Sequence, residues 1–188
     1  MYGLRFIAAL SLACLMGGTA TLAQQAKGKA AEPAGPVVVF EFTKGTVEIE
    51  LFPAEAPQSV EKILGLVRSN FYRGQRIWWV TPALIQFGDP TTRDMTKRDM
   101  WGTVGSGRMI GVDETPLAKH KFVRGVVGFG HRPDFDPKTS DSYMFIIKGA
   151  NSAADGKYMV LGQVTSGMDV VDKLVVPDVI RRAYVKGE

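Results

Sequence analysis

Cysteine is almost missing from this 188-residue chain: Cys14 stands alone, and histidine is held to two, His120 and His131. A single thiol closes no disulfide within the chain, and one Cys with two scattered His makes no ligand-spaced cluster. Asp94, Asp99 and Asp113 in mid-chain have no His beside them, so no metal is expected. A phosphate-binding glycine motif is lacking too, and no cofactor is expected. The charge excess is small, +4 overall. The basic pairs Lys97-Arg98 and Arg181-Arg182 have no interleaved aromatics, so they read as solvated faces without a nucleic-acid partner. The apolar run from Phe6 to Met16 is shorter than the ~20 residues of a membrane span, and no integral membrane span is expected.

That run opens the chain. Arg5 precedes it and small residues ending in Thr21-Leu22-Ala23 follow, the three-part layout of a secretory signal peptide cleaved after Ala23. The expectation is a signal peptide over residues 1–23 and an exported protein, periplasmic or secreted. Acylation of Cys14 is the alternative, to which Leu10-Ser11-Leu12-Ala13 is a poor approach. Cleavage removes the only thiol, which suits an oxidising compartment. Residues 24–36 (QQAKGKAAEPAGP) have no periodicity and read as a flexible linker. Residues 37–176 are the size of one domain with a real core, and residues 177–188 read as a C-terminal tail. A monomer is expected.

Within the domain the hydrophobic period changes several times. Val37 to Thr43, a Lys44-Gly45 turn, and Val47, Ile49 and Leu51 alternating with polar residues predict a hairpin whose first strand is buried on both faces. Val60, Ile63, Leu64 and Val67 recur at helical spacing behind Pro57, predicting one amphipathic helix over 56–68. Strands follow at 76–80, 84–87, 123–129, 143–148 and 158–164, with a second short helix at 167–174. Residues 90–118 carry few periodic apolar positions and several glycines, a segment either functional or ordered by the rest of the fold. Many short strands with two helices predict a mainly β fold, a closed or nearly closed barrel with capping helices. Trp78 and Trp79 are adjacent on a predicted strand, so one is expected to pack inward and the other to face a groove.

Seven stretches in order carry a resemblance. They are Phe42-Thr43-Lys44-Gly45 before Glu48-Ile49-Glu50-Leu51-Phe52, Ala56-Pro57-Gln58-Ser59-Val60, Asn70-Phe71-Tyr72-Arg73-Gly74, Gln86-Phe87-Gly88-Asp89-Pro90, Arg124-Gly125, Asp155-Gly156-Lys157-Tyr158, and Gly167-Met168-Asp169-Val170-Val171. Together they resemble the cyclophilin family of peptidyl-prolyl isomerases, from about Val37 to Leu174. The resemblance implies an eight-stranded antiparallel barrel closed by two helices, with a groove for an extended Xaa-Pro peptide and, as clients, proline-containing or unfolded exported proteins.

Such a groove needs neither a covalent step nor a metal. The barrier to rotation about an Xaa-Pro amide, ~18–20 kcal/mol, comes from the partial double bond, so a site that favours the twisted amide over the planar one lowers it. The family's chief donor for this is an Arg. The resemblance places Trp79 there, with Trp78 at the neighbouring His; because the chain is one residue short between that motif and Gln86, a different placement of the gap would put Trp78 at the Arg position. An indole brings one neutral N–H where a guanidinium brings five donors and a charge. Arg76, three residues earlier, is expected to point to the opposite face, and Arg108 and Arg132 are the loop candidates for a replacement donor.

By the same resemblance Gln86 is the substrate-binding Gln, Phe145 the aromatic of the proline pocket, and Met144, Leu84, Gly130, His131 and Tyr158 line the groove, Tyr158 where a His is common. Core packing of Met144 and Phe145, and backbone satisfaction by Gln86, are the plainer readings of the same residues. Two functions follow as expectations: a prolyl isomerase assisting exported proteins, weakened at Trp79, or a non-catalytic module gripping proline-rich segments with aromatics.

Overall fold

The computed structural model describes residues 34–130, 136–149 and 151–188. The expected signal peptide and most of the expected linker lie outside them, as do His131 and Arg132. Among the described residues the elements run β1 (Val37–Phe42), β2 (Gly45–Leu51), α1 (Pro57–Arg68), β3 (Trp79–Val80), β4 (Leu84–Phe87), β5 (Val126–Phe129), β6 (Met144–Ile147), β7 (Met159–Ser166), α2 (Met168–Lys173) and β8 (Ile180–Val185). No helix among them is long and apolar enough to cross a membrane.

The eight strands form one antiparallel sheet in the order β3-β4-β6-β5-β7-β2-β1-β8. It curls until its ends meet. The seam is an antiparallel bridge between Arg76 and Val179, flanked by Ile77 N–H to the Asp178 carbonyl at 2.9 Å and Gly74 N–H to the Ile180 carbonyl at 2.8 Å. Inside lie Phe40, Ile49, Tyr72, Ile77, Phe87, Phe129, Met144 and Ile146, with Val60, Ile63 and Val67 of α1 packed onto the same cluster. A second, smaller cluster on the outer face gathers Phe122, Phe145, Ile147 and Val160.

Residues 177–188 are not a tail. β8 within them pairs with β1 from Val38 opposite Val185 to Phe42 opposite Ile180, and Ile180, Ala183 and Val185 enter the core. The pairing steps over Arg181, and this bulge destroys the strict alternation that marks a strand in sequence. At the other end of the domain the Pro36 carbonyl already accepts from Leu51 N–H at 2.9 Å.

Residues 90–118 hold only short 3-10 turns, and buried carboxylates tie them down. Asp89 is fully buried. Its Oδ2 accepts from the N–H groups of Gly102, Thr103 and Val104 at 2.7, 3.0 and 3.2 Å, and its Oδ1 from Thr91 N–H and Oγ1 at 2.7 and 2.6 Å. Glu114 reaches α1, whose N-cap Ala56 offers no side-chain acceptor. The carboxylate takes Gln58 N–H, Ser59 N–H and Ser59 Oγ at 2.9, 3.1 and 2.6 Å, capping from afar the donors that every helix start leaves open. Asp141 accepts from Ser106 Oγ and Gly107 N–H.

Asp89→Ala would orphan the backbone donors of residues 102–104 and of Thr91. Loss of about 3 kcal/mol is expected, read as a lower urea midpoint with faster amide exchange at Gly102, Thr103 and Val104; an unchanged midpoint would contradict the anchoring role.

Candidate functional site

Registry builds the site. Trp79 stands opposite Gln86, Gln86 opposite Phe145, Phe145 opposite Gly128, and Gly128 opposite Val160. Directly paired residues share a face of the sheet, so Trp79, Gln86 and Phe145 form one row across β3, β4 and β6 on the outer side. Their chain neighbours Ile85, Phe87, Met144 and Ile146 are in the barrel core.

Phe145 forms the floor. Its ring lies over Gly128, where a Cβ would overlap it, so the absence of a side chain there makes room for the ring, which is 4% exposed. Phe122 packs against it at 5.5 Å between centroids and Tyr158 meets it edge-on at 5.1 Å. Asp155, in the Asp-Gly-Lys-Tyr turn, holds Phe122 in place by accepting its N–H at 2.9 Å. Burial pushes the Tyr158 phenol up, so it is neutral at physiological pH. Leu84, half-buried, joins the same cluster. Gln86 is 8% exposed, and its Nε2 lies 3.0 Å from where a Cβ on Gly130 would stand. Beyond Gly130 a cavity of about 200 Å³ opens, walled by Tyr143, Asp141 and the loop residues Val104, Gly105 and Met109.

The structure therefore brings together Trp79, Gln86, Phe145, Leu84, Gly130 and Tyr158. Met144 is excluded: it is fully buried in the barrel core, because adjacent strand residues face opposite sides and Phe145 holds the outer one. Phe122 and Gly128, unnoticed in the sequence, join the site; a glycine inside a strand pattern is a signal of close approach that could have pointed to Gly128.

The tryptophan pair departs from expectation. Neither ring enters the barrel; Ile77 does. Trp78 and Trp79 stack on each other, centroids 5.9 Å apart and planes 26° apart, and Trp78 also leans on Tyr143 at 5.8 Å. Strand alternation fails here because β3 is only two residues long and Trp78 lies before it. Gly102 admits the Trp78 ring, which a Cβ there would strike. Trp79 is 50% exposed at the rim. Arg76 is turned to the seam, its Nη1 3.5 Å from the Pro177 carbonyl, and Arg108 is an exposed loop residue whose carbonyl accepts from Lys62 Nζ.

Chemically this is an aromatic cluster of Phe145, Phe122 and Tyr158, with the Gln86 carboxamide next in the row and the Trp79 indole beyond it. Such a cluster offers apolar contact to a small ring, and the carboxamide can donate or accept at an adjoining peptide group.

A family model described as cyclophilin type peptidyl-prolyl cis-trans isomerase/CLD matches residues 37–184. A Brucella suis protein described as a probable peptidyl-prolyl cis-trans isomerase is 35% identical over 147 residues, 77% of this chain and 74% of its own. The human peptidyl-prolyl cis-trans isomerase-like 3 is 30% identical over 141 residues, 74% of this chain and 82% of its own. Among solved structures, a cyclophilin type peptidyl-prolyl cis-trans isomerase from Cryptosporidium parvum aligns with TM-score 0.69 at 22% identity, over 81% of this chain and 98% of that one. A further structure of that protein was determined in the presence of the dipeptide Ala-Pro. The fold agrees with that neighbour, and the sequence match through β8 shows that this chain belongs to the cyclophilin-type peptidyl-prolyl cis-trans isomerase family.

Proposed function

We propose that the chain is a peptidyl-prolyl cis-trans isomerase of exported polypeptides, with a groove that binds Xaa-Pro segments well and rotates their amide slowly. The observation that carries this reading is the row itself: Phe145 over Gly128 offers a seat for a prolyl ring, Gln86 stands beside it, and the next position holds Trp79. Family membership supports the activity, and the apolar aromatic cluster around Phe145 supports proline as the residue bound.

The weakness follows from donor chemistry. As the amide twists, conjugation is lost and the prolyl nitrogen gains a lone pair, which a nearby cation stabilises. A missing donor of that type costs ~2.7–4 kcal/mol, on the order of a hundred- to a thousand-fold in rate. Trp79 has a single neutral N–H, and Arg76 is committed to the seam. The half-exposed indole, stacked on Trp78, favours a second use of the same site as a gripping surface for proline-rich segments.

Two outcomes test this. In an exchange-NMR assay on a proline peptide the unmodified protein is expected to be far slower than an Arg-bearing cyclophilin, and Trp79→Arg to accelerate it. The gain should fall in the range of about tenfold to a hundredfold, because small misplacement of the new donor costs rate steeply. Brisk turnover by the unmodified protein would contradict the weakened-catalysis reading, and inactivity of both proteins would assign the groove to binding alone. Export rests on the layout of residues 1–23. Intact mass of the exported protein is expected to correspond to a chain beginning at Gln24, and a product retaining Cys14 with a lipid would overturn it.

A further inference from the structure

Two irregularities of the backbone, far apart in sequence, converge on one surface cleft. The first ends α1. Asn70 takes a left-handed conformation at φ 57°, and the N–H groups of Asn70 and Phe71 return to the Val67 and Leu66 carbonyls at 3.0 and 2.9 Å, the pattern of a Schellman cap. The chain turns sharply there and leaves Arg73 at the surface. The second is the bulge of β8. Glu41 faces Arg182 while the next β1 residue, Phe42, faces Ile180, so Arg181 has no partner across the ladder. Two consecutive arginines are thereby exposed, while Ile180 and Ala183 keep their places in the core. A bulge of this kind re-aims side chains.

Arg73, Arg181 and Arg182, with Glu41 and Asn70, line an open cleft of about 320 Å³. Two other surface arginines are neutralised: Arg68 pairs with Glu188 at 2.5 Å and Arg124 with Asp172 at 2.6 Å. Among the described residues Arg73 and Arg181 have no such partner, and Arg182 rests over the Tyr184 ring at 4.4 Å, which orients its guanidinium. Arg93 binds the Phe71 and Arg73 carbonyls of the same turn. It adds a fourth positive charge behind the cleft and occupies acceptors that would repel an anion.

We propose that this cleft is a docking site for an extended acidic polypeptide segment, separate from the proline groove. Carboxylates fit the unpaired guanidiniums in a two-pronged geometry. The polar pair within the cleft decides between an acidic peptide and a compact inorganic anion. Glu41 repels a dense dianion, yet it accepts from peptide N–H groups, and the Asn70 carboxamide both donates to and accepts from a peptide backbone. A segment carrying acidic residues at intervals meets both requirements.

The test uses the full exported protein and a fluorescein-labelled, proline-free peptide of alternating Glu and Ser, followed by anisotropy. Saturable binding is expected at low ionic strength, weakening steeply as salt shortens the screening length. The double variant Arg181→Ala/Arg182→Ala should weaken it about tenfold. Phe145→Ala should leave it unchanged, which separates this site from the groove. Thermal melts of the double variant guard against a folding defect, and Arg73→Ala, outside the sheet, should weaken binding in the same direction. Absence of saturable binding at low salt, or equal binding by the double variant, would overturn the proposal. So would vesicles containing phosphatidylglycerol that bind through the same arginines while the peptide does not.

Discussion

Side chains on a strand alternate, and in this molecule that single constraint separates the barrel core from the candidate site. Because β3, β4, β6 and β5 pair in the observed register, every residue of the row Trp79, Gln86, Phe145 and Gly128 lies outside, and each chain neighbour in β4, β6 and β5 lies inside. A one-residue slip of β6 would turn Phe145 into the barrel and Met144 out of it, so the register is held by the whole barrel core. Gly128 completes the device. With any side chain there, the Phe145 ring would have to leave its seat.

Buried carboxylates do for the loops what the register does for the sheet. Asp89, Glu114 and Glu55 are nearly or fully buried, and each is surrounded by N–H donors. Glu55 takes Lys119 and His120 N–H at 2.6 and 3.1 Å and the His120 ring nitrogen at 2.5 Å, while that ring stacks on Phe52. A buried carboxylate without donors would be prohibitive, and one with several is a strong local anchor. Asp89 holds the start of the loop that walls the cavity beside Gly130, and Asp141 holds its middle. The loop wall of this cavity is thus held by hydrogen bonds to two carboxylates.

Much of this was legible in the sequence, for physical reasons that also mark where reading fails. β2 and α1 are readable because each alternates buried positions with more exposed ones, which makes the period visible, while β1, covered on both faces, reads as an apolar run before the Lys44-Gly45 turn. β8 did not, since its bulge places Ile180, Ala183 and Val185 inside at uneven spacing around two arginines. Naming both Met144 and Phe145 as groove residues conflicted with the alternation that the sequence itself dictates. The opposite holds at Trp78 and Trp79, where the strand is too short for alternation to govern. Asp89 before Pro90 is a legible cap signal. Glu114 carries none, because its partners lie on α1, 55 and 56 residues upstream.

We propose the outer row as a proline-binding groove with a poor catalyst at its rim. Titrating a short Ala-Pro peptide into isotope-labelled protein, with both partners followed by NMR, tests it most directly. Shifts are expected to centre on the Gly128 and Gly130 amides, the Gln86 carboxamide and the Trp79 indole, while the peptide's cis and trans lines stay separate at saturation. Shifts that spare this row, or cis and trans lines that merge under the unmodified protein, would contradict it.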